Sequence, residues 1–258
     1  MISHRNVIAN VLQIAAYDKP YRESLKQPGQ KRYQENCLGL LPMSHIYSLV
    51  VITHVAPYLG DGCIILPKFD MQIYLNAIQK FKINTLYLVP PIVILMTKSK
   101  PMLGNFDLSS VKIVFTGAAP LGQETADELS RQYPDWVIRQ GYGLTETSTV
   151  VCSTSGDDVW FGSSGSLLPS TECKLVDPVT SKEITEYNVP GELWVKSPSV
   201  TIGYLNKKVA TDETFVTDKD GRWMRTGDEA VVKKSPKGNE HIFITDRIKE
   251  LIKVKVCL

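Results

Sequence analysis

No Cys-x-x-Cys pair, no long block of like charge and no uninterrupted apolar run of membrane-spanning length occurs in the 258 residues of this chain. Each absence removes a class of function. The five cysteines, Cys37, Cys63, Cys152, Cys173 and Cys257, are odd in number and far apart, which suits buried thiols in a reducing compartment better than a disulfide frame or a zinc site. Twenty-nine Lys and Arg against 27 Asp and Glu give a formal net charge of +2, so no basic stripe points to nucleic acid or an anionic membrane. The uncharged stretch 36–60 is broken by Pro42 and Pro57 and interrupted by Ser44, His45, Tyr47, Ser48, Thr53 and His54; it reads as a buried strand and helix, not a span. The start, Met-Ile-Ser-His-Arg-Asn, lacks a signal-peptide pattern, and the end is neither Ser-Lys-Leu nor a prenylation box. No targeting address is visible, and the expectation is an intracellular protein, cytoplasmic or peroxisomal.

What is present is an ordinary globular composition, 43% hydrophobic and 22% charged, enough to bury a core. Short apolar runs at 37–41, 63–66, 85–89, 111–115 and 136–139 alternate with helix-period stretches. This predicts an α/β layer with a parallel sheet covered on both faces. After Asp70, a helix N-cap, Ile73, Ala77, Ile78 and Phe81 recur at helical spacing, as do Leu121, Thr125, Leu129 and Tyr133 after Pro120. Past residue 150 the texture changes to short strand-like runs, 172–176, 191–195 and 230–233, between Gly, Pro, Asp and Ser. The expected division is an α/β unit over 1–150 and a small β subdomain over 151–245, in which 231–234 and 241–245 form a hairpin around Ser-Pro-Lys-Gly-Asn.

Three glycine clusters stand at strand ends: Thr116-Gly117-Ala118-Ala119-Pro120-Leu121, Gln140-Gly141-Tyr142-Gly143-Leu144-Thr145-Glu146-Thr147 and Arg225-Thr226-Gly227-Asp228. Ligands of α/β sheets bind beyond the carboxyl ends of strands, where small residues let a flat ring approach the backbone. A turn glycine closing a strand gives the same local pattern. In combination and order, these clusters, together with Pro42-Met43-Ser44-His45-Ile46-Tyr47, Pro67-Lys68-Phe69, Pro190-Gly191-Glu192-Leu193, Gly203-Tyr204 and the run from Thr245 to Lys253, resemble the adenylate-forming superfamily of acyl-CoA ligases, luciferases and peptide-synthetase adenylation domains. The His-Ile-Tyr element and the Asp-Arg-Ile-Lys-Glu-Leu-Ile-Lys run are most similar to 4-coumarate and related acid:CoA ligases.

The resemblance implies a partial acyl-CoA synthetase large domain whose substrates are ATP with Mg²⁺, coenzyme A and an aromatic or medium-size carboxylic acid. In that reaction a carboxylate attacks the α-phosphorus of ATP, and two anions approach only where cations screen them. It implies Glu146 as the magnesium ligand and, with Thr145, a catalytic pair. Nucleotide contacts fall on Ala118, Gln140, Gly141, Tyr142, Thr145, Asp228, Arg247 and Lys249, with Tyr142 stacking on adenine and Asp228 accepting from both ribose hydroxyls. The acid pocket falls on His45, Tyr47, Phe115, Ala118, Gly141, Gly143 and Lys253, where the small residues leave room for a ring or chain; a core histidine is the competing reading of His45. Lys68 and Lys255 fall at coenzyme A positions.

The same resemblance implies that the family's phosphate loop would precede Met1 and that its C-terminal domain would follow Leu258, with 246–258 as the hinge into it. A chain of this extent is expected to hold a nucleotide without turning over. A luciferase-like or peptide-synthetase unit and a catalytically silent fragment are the alternatives.

Overall fold

The computed structural model describes residues 1–248; the candidates Lys249, Lys253 and Lys255 lie outside the described residues. The first sheet holds β1 (Asn36–Gly39), β2 (Gly62–Ile65), β3 (Thr85–Leu88), β4 (Ile113–Thr116), β5 (Val137–Leu144), β6 (Thr149–Ser153) and β7 (Ser166–Leu167), in the order β2-β1-β3-β4-β5-β6-β7. The five strands from β1 to β5 pair in parallel, as the doubly apolar runs predict, whereas β6 and β7 continue the sheet antiparallel. The first sheet therefore runs on past residue 150 to Leu167.

Helices cover both faces. One face carries α1 (His4–Ser24) and a π-helical segment, Ser48–Val55, that continues into α2 (Ala56–Leu59). On the other lie α3 (Met71–Phe81), α4 (Pro90–Lys98), α5 (Lys100–Leu103) and α6 (Gln123–Gln132). Alternation along each strand assigns the faces: Leu86, Val114 and Ile138 pack with Leu75, Ile78, Met96 and Leu129, whereas Tyr87 and Phe115 turn toward Tyr47, Val51 and Val150. Burying each such aliphatic side chain contributes roughly 1.5–3 kcal/mol. The uncharged stretch 36–60 is β1 plus the π-helical segment, with Val50 and Ile52 fully buried.

Asp70 caps α3 by accepting from the Ile73 amide at 2.9 Å. The buried stripe is Tyr74, Leu75, Ala77 and Ile78, while Ile73 and Phe81 are 52% and 41% exposed. The expected face was thus set about one residue off, because two apolar side chains on the flank mimic the i, i+4 pattern of the stripe beside them. In α6 only Ala126 and Leu129 are buried; Leu121 is buried in the loop before the helix, and Tyr133 stacks on Trp136 at 3.9 Å just after it.

The second sheet comprises β8 (Glu172–Val176), β9 (Glu183–Ile184), β10 (Gly191–Lys196), β11 (Phe215–Asp218), β12 (Gly221–Lys234) and β13 (Glu240–Arg247), with α7 (Lys208–Thr214) before β11. Its order is β11-β12-β10-β8-β9, and β13 pairs with β12 as the expected hairpin, Lys233 opposite His241. Asp246 and Arg247, expected at a hinge, are the last paired residues of β13, opposite Glu229 and Asp228.

Helix α1 ties the two sheets together. Asn10 bonds the backbone of Val150 in both directions, at 2.7 and 3.0 Å. Asn6 reaches the carbonyls of Pro198 and Val200, and Gln13 reaches Pro169, Thr171 and Ser197. All three side chains are buried. Polar residues at i, i+4 and i+7 on a buried face satisfy loop backbone that would otherwise be left without partners.

Candidate functional site

Strand β5 builds the site by changing partners. Up to Gln140 it pairs in parallel with β4, and from Gly141 to Leu144 it pairs antiparallel with β6, with a bulge between Tyr142 and Gly143. The Gly-Tyr-Gly-Leu run, expected at a strand end, is itself the last part of the strand. A Cβ on Gly143 would lie 1.4 Å from the Thr149 carbonyl oxygen, and one on Gly141 would lie 2.7 Å from the Phe115 ring. Both glycines are therefore required by neighbouring protein atoms, and both also border the cavity beside this strand. Gly117 does leave room: its Cβ would meet Tyr47 at an ordinary 3.5 Å.

Beyond the carboxyl ends of β4 and β5 lies a cavity of about 240 Å³. His45, Tyr47 and Phe115 line one wall, Gly117, Ala118, Gly141 and Gly143 border it, and Tyr142, Thr145, Glu146 and Arg247 line its opposite side. Tyr47 is 5% exposed, donates its hydroxyl to the Phe115 carbonyl at 3.1 Å, and forms an aromatic cluster with Phe115 and Tyr87. Burial holds its phenol far above the ordinary range. His45 is exposed, its Nδ1 accepting from the Tyr47 amide at 3.2 Å, so it is no core histidine. Ala118 closes β4 at φ 67°, a left-handed conformation that costs an alanine about 1–2 kcal/mol and that clusters at functional sites.

A second, larger cavity of about 880 Å³ shares Leu144, Glu146 and Arg247 with the first and is walled by Tyr204, Arg225, Thr226 and Asp228. Here the candidates contact one another. The Tyr142 hydroxyl donates to Asp228 Oδ2 at 2.6 Å, and the Arg247 Nε lies 3.3 Å from Asp228 Oδ1. Asp228 is 3% exposed. Burial, and then the Asp228 charge, push the Tyr142 phenol well above its usual pKa, so it stays a donor. Both carboxylate oxygens expected to meet ribose already hold a protein partner. Two further lone pairs remain.

Glu146 sits in a short 3₁₀ turn, Thr145–Thr147, after β5, with Thr145 exposed beside it. Its Oε1 accepts from Tyr204 at 2.8 Å, and its carbonyl accepts from the Thr201 amide. Burial and that hydrogen bond push Tyr204 up to about 12. Among the described residues no group of three His, Cys, Asp or Glu could hold a metal ion. A lone carboxylate suits Mg²⁺, which binds through one or two carboxylates plus substrate phosphates, so Glu146 fits that duty. Tyr204, in the Gly203-Tyr204 pair, has no role legible in the sequence; its contact with Glu146 makes it a site residue.

Two candidates lie elsewhere. The Gln140 amide accepts from the Leu121 amide at 3.1 Å and donates to the Ser163 carbonyl at 3.4 Å, on the far side of β5 from the cavity. Adjacent strand residues face opposite ways, so Gln140 and Gly141 cannot serve one pocket with their side-chain faces. Lys68 is exposed after the edge strand β2 and lines neither cavity. Among the described residues no helix is long and apolar enough to cross a membrane.

His241, which shows no ligand spacing in sequence, lies in a buried network: its ring nitrogens contact Ser163 Oγ at 2.9 Å and Asp158 Oδ2 at 3.3 Å. The Ser163 hydroxyl is buried and also accepts from the Gly165 amide, so it is no exposed nucleophile. The network fastens loop 155–165 to the β12–β13 hairpin.

Comparison with known proteins finds acyl-CoA ligases. The chain is 44% identical over 255 residues to the acyl-CoA ligase lcsD of Purpureocillium lilacinum, covering 99% of this chain and 63% of that protein. A probable 4-coumarate–CoA ligase of Dictyostelium discoideum is 36% identical over 255 residues, covering 98% of this chain and 43% of that protein. Among solved structures, ATP-bound MatB from Rhodopseudomonas palustris superposes with a TM-score of 0.77 at 26% identity, covering 96% of this chain and 44% of that one. The chain thus spans about two fifths to three fifths of these relatives. With residues 1–205 matching the AMP-binding enzyme family, and the glycine strand, Glu146, Tyr47 and Phe115 all inside that match, the chain belongs to the AMP-binding enzyme family.

Proposed function

We propose that this chain supplies the acid and nucleotide sites of an ATP-dependent, AMP-forming acid:CoA ligase acting on an aromatic or medium-size carboxylic acid. One observation carries the reading. A single cavity collects Tyr47, Phe115, Tyr142, Thr145, Glu146 and Arg247, and Asp228 stands directly behind it on Tyr142 and Arg247. The acid's apolar part lies against Tyr47 and Phe115, leaving its carboxylate at the mouth near Thr145. Tyr142 offers its ring face to adenine, and Asp228 its free lone pairs to ribose. The Thr145 hydroxyl donates to the α-phosphate, and Arg247 adds positive charge on the opposite side. Glu146 would hold Mg²⁺, which when bound offsets the crowding of negative charge as carboxylate meets phosphate. The thiol of coenzyme A then takes the acyl group from the adenylate, and AMP leaves.

The test is acid-dependent pyrophosphate release, and acyl-CoA formation, by the protein at its natural length. Glu146→Gln should lower the rate of pyrophosphate release about 100-fold, as loss of a charge-stabilising group does, with acid affinity nearly unchanged. Unchanged release at saturating magnesium would overturn the assignment. Adenylation of amino acids with no acyl-CoA formed would favour a peptide-synthetase-like unit instead.

A further inference from the structure

Thr85 and Tyr87 on β3, Ile113 and Phe115 on β4, and Arg139 on β5 stand on one face of the sheet, in the registers Thr85 to Ile113, Tyr87 to Phe115 and Phe115 to Arg139. Opposite them, α1 presents Asp18, Tyr21 and Arg22. Between helix and sheet lies a small cavity of about 30 Å³, apolar where Val51, Val55 and Leu168 line it and charged elsewhere. The Arg139 guanidinium, 5% exposed, bonds Asp18 at 2.6 Å and the Thr154 carbonyl at 2.8 Å. Arg22 lies 3.4 Å from Glu35 Oε2, to which the Thr85 hydroxyl donates at 2.7 Å.

Glu35 lines the same cavity and is 5% exposed; the Tyr33 phenol faces its carboxylate, yet Oε1 is buried without a partner in hydrogen-bonding geometry. Buried acceptors without donors are rare because they are costly, and buried ion pairs are seldom the most stable way to fill a core. The other face of the same strands is filled by Leu86, Val114 and Ile138, without charge. The cavity adjoins the acid site. Phe115 and Val150 line both, and Phe115 is the partition, its ring occupying the space beside Gly141. From Gly141 back to Val137, level with Ile113 and Thr85, is four strand residues or about 13 Å.

We propose that this chamber is the far end of the acid site and that it selects a medium-length acid bearing a hydroxyl at its distal end, which donates to Glu35 Oε1. The proposal rests on the ligase reading above and adds the substrate class to it. The missing partner is a donor, which excludes a plain alkyl end or a second carboxylate. Arg22 and Arg139 on either side disfavour an ammonium. The volume holds one or two water-sized groups, which fits a hydroxymethyl end and not a ring.

The experiment compares acid-dependent pyrophosphate release for decanoate and ω-hydroxydecanoate in the protein at its natural length. The hydroxy acid should be preferred about tenfold in kcat/KM, the scale of one charge-assisted hydrogen bond. That preference should vanish for ω-hydroxyhexanoate against hexanoate, whose hydroxyl stops short of Glu35, and should fall several-fold in Glu35→Gln. Equal use of decanoate and its hydroxy form would overturn the chamber, leaving water as its occupant, while the ligase reading stands. So would an equal preference at both lengths, or one undiminished in Glu35→Gln. Release with none of these acids, nor with an aromatic acid, would sink the ligase reading itself and the proposal with it.

Discussion

The phenol of Tyr142 and the carboxylate of Asp228, 86 residues apart in sequence, meet at 2.6 Å. The contact joins β5 of the first sheet to β12 of the second, and it places the hydroxyl where a ribose hydroxyl would compete for the same carboxylate. Tyr142→Phe keeps the ring and frees one Asp228 oxygen. AMP affinity should therefore hold or improve. Asp228→Ala should weaken it about tenfold or more, the loss of a hydrogen bond to a charged group being worth about 1.5–3 kcal/mol. Calorimetry with AMP separates the two variants. A phenylalanine variant that binds as poorly as the alanine one would mean that the hydroxyl itself contacts nucleotide.

Gly143→Ala and Gly117→Ala should behave oppositely, although both glycines lie in motifs of the same site. A methyl at 143 overlaps the Thr149 carbonyl, a backbone atom that cannot rotate away, whereas one at 117 makes an ordinary contact with Tyr47. The first should cost about 4 kcal/mol or more by urea denaturation, and the second about 1 kcal/mol or less. Similar losses for both would show that β5 and β6 can separate to admit a methyl group.

Asp158 carries an acid-sensitive lock. Burial opposes its charge, but hydrogen bonds from Asn239 and Ser235, with His241 beside it, more than offset this and hold its carboxyl below the usual range. A depressed carboxylate contributes stability that is present above the unfolded value of about 3.9 and lost as pH falls through the folded one. Asp158→Asn should cost about 1–3 kcal/mol at neutral pH, because the buried donors lose a charged acceptor. Below pH 3 the gap to the parent should narrow in thermal melts; a constant gap would mean that the carboxylate does not titrate with folding.

Glu35 has the opposite sign. Burial raises its carboxyl above the ordinary value, against the Thr85 hydrogen bond and the Arg22 charge, with Asp61 and Asp18 adding repulsion. A raised carboxylate contributes stability that is full below the unfolded value and is lost as pH rises through the folded one. Relative to the parent, Glu35→Gln should therefore gain stability between about pH 4 and pH 7. Thermal melts at the two pH values check this. A gain in stability together with a loss of ω-hydroxy selectivity would be the signature of a residue kept for binding at the expense of the fold.

The alternation of apolar runs with helical stretches, the Asp70 cap, the β12–β13 hairpin and the two-sided parallel sheet were legible in the amino-acid sequence, because each follows from spacing within a dozen residues and from which side chains water rejects. So were most of the residues of the candidate site, since chemistry concentrated in short motifs survives without a structure: Tyr47, Phe115, Tyr142, Thr145, Glu146 and Arg247 do line one cavity. Tertiary structure alone decided what those residues touch. That β5 runs on through Gly141 and Gly143 depends on β6 arriving from the opposite direction, and that Gln140 turns away follows from the strand this creates. The Tyr142 to Asp228, Tyr204 to Glu146 and Thr85 to Glu35 contacts all join residues 50 or more positions apart. Local periodicity carries no information about such pairs, because a hydrogen bond depends on two chain segments reaching the same ångström-scale position, and only the packed fold sets that.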